Sequence, residues 1–298
     1  MKYEITTSIY EIEDIEKLNK VNVGCVILGT PFYSVRSTNH LSNEELKQAI
    51  EKCHKLKMKA YVLMNRFFVE KELERLEEQM AYLKELKPDG IYFTDLSVYT
   101  IAKSLGMESL LIYNPDTIMT NSNDIKAYLN LGIKMVNVSK EITLDEMVRI
   151  GESVKGNLEV FVHGRLNMMH SKRHLLTNYM EFLGKDLDLR DKDDLYLMEE
   201  NRDEHMPIIE DEHGTHVFTG FTLCSFEEIL DLYNAGITNY RIETLFKSID
   251  EICEIVSDYH KVLNKEVKGK DMFEKYRLSF KEENITKGFM YKKTGLLK

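Results

Sequence analysis

Apolar residues fall along this chain in short runs, each followed by a stretch of helical period and then a turn. Tyr3–Thr7, Cys25–Gly29, Ala60–Met64, Ile91–Thr94, Leu110–Tyr113, Met135–Val138, Leu158–Val162 and Asn239–Ile242 read as strands. The intervening spacing predicts helices over Ile12–Lys20, Glu44–Leu56, Glu70–Leu86, Ser97–Leu105, Ser122–Leu131, Thr143–Ser153, Phe226–Asn234 and Ile249–Leu263. Ser42 with Glu45, and Thr143 with Glu146, have the spacing of capping boxes at two helix starts. Strands that are apolar on both faces and alternate with helices belong to a parallel sheet buried under helices. Eight such units are the number that closes a (β/α)8 TIM-like barrel, the fold expected here. An open doubly wound sheet is the alternative, but its Gly-x-Gly-x-x-Gly fingerprint is absent.

Two segments depart from the repeat. Residues 172–222, after the seventh strand, are rich in Asp, Glu, Lys and Arg and occupy the place of a βα loop. Loops of that length are usually lids or small subdomains. A short helix over Leu175–Leu183 and a hairpin of Met206–Glu210 with His216–Thr219, turned at Glu212-His213-Gly214, are expected inside it. The second segment, 265–298, is basic and includes Tyr276, Phe280, Phe289 and Tyr291; such aromatics need burial, so it should pack on the barrel. The expected organisation is therefore a barrel over 1–264, carrying the insertion, and a basic tail over 265–298.

The composition narrows the chemistry. With a net charge of −10, attraction of the whole surface to nucleic acid is disfavoured, although a local basic patch survives it. No apolar run approaches the roughly 18 residues that span a bilayer, and the N-terminus has no apolar signal core, so a cytoplasmic, membrane-free protein is expected. The four cysteines are scattered and fit neither a disulfide framework nor a zinc site. No metal site can be read.

In a barrel, residues at strand C-termini share one mouth, so they are the candidate site. The richest segment is His163-Gly164-Arg165 through Ser171-Lys172-Arg173-His174, where an apolar strand breaks into a dense polar cluster. Other strand ends contribute Arg36, Asn65, Asp95, Asn114 with Asn121 beyond it, Lys140 with Glu141, and Glu243 with Lys247. Taken alone, Asp95 reads better as a helix cap, and a single histidine such as His163 is more commonly a satisfied core residue; the convergence of six strand ends on one rim favours the functional reading. A mouth with Arg36, Lys140, Arg165, Arg173 and Lys247 against Glu141 and Glu243 favours an anionic ligand. Glu141 and Glu243 are the available general bases, and His163 the group expected to titrate near neutrality.

These residues also carry a family resemblance. Phe161-Val162-His163-Gly164 followed by Ser171-Lys172-Arg173-His174 resembles the E-x-F-x-H-G-x-x-C and S-G-x-C-x-x-S signature of the collagenase-like peptidases, the thirty-second family of unassigned catalytic type. Lys140-Glu141-Ile142-Thr143-Leu144-Asp145-Glu146 and Tyr240-Arg241-Ile242-Glu243 with Lys247 are similar to its R-E-L-x-L-x-E and L-K-I-E-G-R-x-K segments. Asn167 and His174 stand where that family has cysteines, so the iron–sulfur cluster of the quinone-hydroxylating relatives is not expected, and no cofactor is. The chain is closer to a short, cysteine-poor branch, which Asp211-Glu212-His213-Gly214-Thr215-His216 also resembles. That likeness implies a part in forming 5-hydroxyuridine at the tRNA wobble position, with prephenate as oxygen source, tRNA as partner, and a longer paralogue as a second one. It adds His216 to the ligand-binding candidates. The family's label implies the alternatives: a peptidase, or a non-catalytic member that binds RNA or the paralogue.

Overall fold

The computed structural model describes residues 2–154, 157–192, 194–198, 200 and 204–292. Lys293 and Lys298 of the basic tail lie outside them. In chain order the elements are β1 (Glu4–Ser8), α1 (Asp14–Lys20), β2 (Cys25–Leu28), α2 (Asn43–Lys55), β3 (Lys59–Met64), α3 (Leu73–Leu86), β4 (Gly90–Phe93) and α4 (Leu96–Ser104). There follow β5 (Leu111–Tyr113), α5 (Ser122–Leu129), β6 (Met135–Asn137), α6 (Leu144–Val154), β7 (Leu158–Gly164), β8 (Asn167–Ser171) and α7 (Leu175–Phe182). The chain continues with β9 (Tyr196–Leu197), β10 (Met206–Asp211), β11 (Gly214–Phe218), β12 (Thr222–Cys224), α8 (Ile229–Asn234), β13 (Asn239–Ile242), α9 (Ile249–Leu263), α10 (Gly269–Ser279) and β14 (Ile285–Thr286).

Strands β1 to β7 pair in parallel in sequence order, and β13 closes the ring by pairing in parallel with both β7 and β1. The result is a TIM-like (β/α)8 barrel. Alternation within the strands builds two apolar layers. Cys25, Ile27, Tyr61, Leu63, Tyr92, Ile112 and Met135 fill the interior, while Val26, Leu28, Val62, Met64, Ile91, Phe93 and Val136 face the helices. Both expected capping boxes form, and Ser248 with Glu251 makes a third at α9.

The insertion folds as a four-stranded antiparallel sheet, ordered β8-β11-β10-β9, with α7 on one side. Glu210 holds α7 on that sheet: its carboxylate accepts the N–H groups of Leu176 and Thr177 and the hydroxyls of Thr177 and Thr215. The segment then returns to the barrel as β12, which runs antiparallel against the end of β7. Far from hanging free, the tail forms α10 and adds β14 beside β12. Tyr276 is buried, while Lys275 pairs with Asp258 and Lys287 with Glu227 and Glu228. No helix among the described residues is long and apolar enough to cross a membrane.

Candidate functional site

The loops at the C-terminal ends of the strands close around a narrow polar chamber of about 20 Å³, room for about one water molecule. Two residues with left-handed backbones face each other across it, Arg36 (φ 55°) and Asp116 (φ 66°). Such a conformation costs a non-glycine residue about 1 kcal/mol, and strain of this kind tends to gather at functional sites. Asn65 holds the first turn, accepting from the Val35 N–H at 2.9 Å and donating to the Val35 carbonyl at 3.1 Å. The Arg36 guanidinium reaches one Asp116 oxygen at 2.7 Å, and Lys140 Nζ reaches the other at 3.2 Å. Burial alone would raise the Asp116 carboxyl; the charges of Arg36 and Lys140 outweigh it and hold the group well below the usual carboxylate range.

The floor is Arg241. Its guanidinium lies over Tyr92 at 5.1 Å and Phe161 at 4.8 Å, and its Nη1 is buried with no hydrogen-bond partner among the described residues. Asn114 Oδ1, on the same wall, is also buried and unpartnered. A buried polar group left unpaired costs about 1–3 kcal/mol, so Arg241 Nη1 as donor and Asn114 Oδ1 as acceptor are the groups of this wall open to hydrogen bonding. Below Arg241, Glu159 accepts from Tyr92 and Asn137, and burial raises its carboxyl. Glu243 completes the wall, accepting the Thr244 N–H. Only glycine fits at 164 (φ 115°), where a Cβ would stand 2.6 Å from Glu243 Cβ. Arg36, Lys140, Arg165 and Arg241 against Asp116 and Glu243 leave the chamber an excess of two positive charges.

Arg165 donates to the Thr219 carbonyl, tying the mouth to the insertion, which covers it with Asn167 and Phe218. On its outer side Arg165 also borders an open groove with Tyr10, Tyr196, Phe246 and Lys247.

Several expected site residues lie elsewhere. His163 is at the rim in sequence, but its ring turns outward into the helical layer among Phe226, Tyr259 and Tyr276. Burial there pushes it well below the usual histidine value, so it is not a mouth acid or base. Asp95 caps α4, accepting from Ser97 and, with its other oxygen, from the Phe68 N–H. Asn121 caps α5. Arg173 is exposed on the insertion, and Ser171 accepts the Arg173 N–H, so neither lines the chamber. Lys247 pairs with Glu283 of the tail at 2.6 Å and borders the outer groove. Glu141 is half-buried beside Lys140 without lining the chamber, and burial raises its carboxyl. His216 is buried on the chamber-facing side of the insertion. Sequence reasoning missed Asp116 and Arg241. Asp116 follows Asn114-Pro115 at a strand end, and Arg241 is a charge inside an apolar strand; both were visible signals.

The model of the family described as peptidase family U32 matches residues 11–297. The chain belongs to peptidase family U32. Among U32 relatives, tRNA hydroxylation protein P2 of Bacillus subtilis is 28% identical over 98% of this chain and 99% of its own length. The tRNA hydroxylation protein P of Escherichia coli is 24% identical, over 82% of this chain but 64% of that longer protein. An uncharacterized protease of Methanocaldococcus jannaschii is 25% identical over 78% of this chain and 58% of its own length. A solved U32 peptidase structure shares the fold with a TM-score of 0.53 at 11% identity, covering 81% of this chain and 92% of that one.

The iron–sulfur cluster that the family resemblance raised needs four thiolates together and does not fit the cysteines of this chain. Cys25 fills the barrel interior, Cys53 is on α2, Cys224 on β12 and Cys253 on α9, so no two share an element. Among the described residues, no group of three or more His, Cys, Asp or Glu could hold a metal.

Proposed function

We propose that this protein takes part in tRNA hydroxylation, forming 5-hydroxyuridine at the wobble position, and that its barrel mouth binds prephenate or a similar small carboxylate. It acts alone or beside a longer paralogue. The observation that carries the reading is Arg241, a buried guanidinium with an unmet donor in a chamber of net positive charge. A carboxylate admitted as the insertion lifts from the mouth would satisfy that donor in the bidentate geometry arginine favours, with Arg36 and Lys140 beside it. The names of the Bacillus and Escherichia relatives support tRNA hydroxylation, while the modified base and prephenate come from the family resemblance alone. The outer groove, with Tyr10, Tyr196 and Phe246 for stacking and Arg165 and Lys247 for phosphate, suits an approaching nucleotide. A hydrolytic reading gains no support from the thiols: Cys224 is buried and burial pushes its pKa upward, the opposite of a nucleophile.

The test is deletion of the gene with mass spectrometry of tRNA nucleosides, and titration of the purified protein with prephenate. Loss of 5-hydroxyuridine, restored by the wild-type gene, is expected. Arg241→Met should weaken prephenate binding by about 1.5–3 kcal/mol, the usual worth of a hydrogen bond to a charged group. Unchanged 5-hydroxyuridine in a strain also lacking any paralogue would refute the reading.

A further inference from the structure

We infer that Asp211, His216 and His170 form a proton relay over the chamber, and that His170 Nε2 is the base that takes a proton from the bound substrate. The inference rests on the mouth being the substrate site, as proposed above. His170 on β8 and His216 on β11 are register partners and therefore share a face of the insertion. The next inward pair on that sheet, Asn167 and Phe218, lines the chamber; the two imidazoles share that face of the cover just beyond the lining, near enough for Arg36 and Asp116 of the chamber to act on the charge of His170. Their rings are parallel within 7°, with centroids 4.7 Å apart and the two Nδ1 atoms 3.1 Å apart. His216 Nε2 lies 3.3 Å from Asp211 Oδ1.

The proton positions follow from valence. An ionised carboxylate only accepts, so His216 must carry its proton on Nε2. A neutral His216 then has a lone pair on Nδ1, and the short Nδ1–Nδ1 contact requires His170 to donate from its own Nδ1. That leaves His170 Nε2 as a free lone pair, with no hydrogen bond to it among the described residues. Two cationic imidazoles could not keep this contact. The surroundings agree: burial first, then His216 and Arg36, push His170 down to about 4, against Asp211 and Asp116. Burial also lowers His216, with Arg36 and His213 adding to it and Asp211 opposing. Asp211 is itself held in place by accepting the His213 N–H, and His213 in turn contacts the Pro31 carbonyl of the barrel.

In the step, an O–H bond of the bound substrate breaks, its electron pair stays on oxygen, and an N–H bond forms at His170 Nε2. The resulting imidazolium presses its Nδ1 proton onto His216, whose Nε2 proton presses onto Asp211, so charge is spread toward the carboxylate. His216 and Asp211 are positioning residues and His170 the catalytic one.

Nitrogen-15 NMR of the full chain, labelled at histidine, reads the relay directly. At pH 7 we expect His216 as the Nε2–H tautomer and His170 as the Nδ1–H tautomer, both neutral. His170 found charged, or protonated on Nε2, would overturn the relay whatever the reaction is. His216→Phe keeps a flat ring but offers no acceptor and should return His170 to a mixture of tautomers; should that variant fail to fold, Asp211→Asn, which keeps the turn bond to His213, should instead lower the His170 titration midpoint. In the complemented deletion strain, His170→Gln should cut 5-hydroxyuridine formation by about a hundredfold or more while prephenate affinity stays within about threefold. Full activity of His170→Gln beside an active wild type removes the base and leaves the tRNA reading intact. If the wild type itself restores nothing, the tRNA reading falls, and the tautomers alone decide the relay.

Discussion

The barrel and the insertion that covers it are built on opposite terms. The barrel buries most of its large apolar side chains in two concentric layers, and the Phe226 ring meets Tyr259 and Tyr276 at centroid distances of 4.2 and 4.9 Å. The insertion has a small apolar cluster of Met206, Ile208 and Val217 and leaves Phe182, Tyr179 and Leu187 outside it, Phe182 at 84% exposed. What holds the insertion is polar: one carboxylate, Glu210, accepting several hydrogen bonds, and the Arg165 bond to Thr219. The difference matters for function. The barrel fixes the chamber's cations, while the cover carries the imidazoles and can loosen without unfolding the barrel, as elements of low local stability do.

The sharpest break of that comparison is Phe226→Ala in the barrel's outer layer. We expect a loss of about 3–5 kcal/mol in urea unfolding, the cost of emptying a well-packed aromatic site. A loss below about 1 kcal/mol would show that this layer is no better packed than the cover.

Next comes Glu210→Gln, which should cost the insertion about 1.5–3 kcal/mol locally, since hydrogen bonds to a charged acceptor are lost. Faster hydrogen exchange in α7, with barrel amides unchanged, is the expected reading. Burial alone would raise the Glu210 carboxyl, but its donors hold it below the usual glutamate value. A depressed carboxyl contributes stability that is present above the unfolded value, about 4.3, and lost as pH falls through the folded one. The cover should therefore open on acidification below about pH 4.3, and Glu210→Gln should abolish that dependence.

His163 makes the matching prediction for the barrel. Its folded pKa is depressed by burial, so the unfolded chain takes up the proton first. Stability is complete above about pH 6.5 and falls by about 1.4 kcal/mol per unit below it, over the window down to the folded value. His163→Leu should flatten that slope. Persistence of the full slope would place the titrating group elsewhere.

The smallest effect is expected at Phe182→Ser. An exposed side chain contributes within about 0.5 kcal/mol, so stability should not move. A larger loss would mean that the cover's apolar face is packed in solution, which gel filtration of wild type and variant would reveal as a change of oligomeric state.

The sequence by itself determined the barrel. Strands buried on both faces must repeat short apolar runs, and helices packed on them must repeat every 3.6 residues, so the eight units are written locally. It also determined that Arg36, Lys140, Arg165 and Glu243 reach one rim, because strand ends of a parallel barrel share a side. Which way His163 points was decided only by the tertiary structure. Pairing with β12 and a bulge against β13 turn its ring into the helical layer, and a bulge shifts facing without a local signature. The same holds for Arg241, Asp116 and the Asp211–His216–His170 line. Each depends on groups distant in sequence coming within hydrogen-bond reach, and the low-dielectric enclosure that sets their charge states exists only once the chain has closed around them.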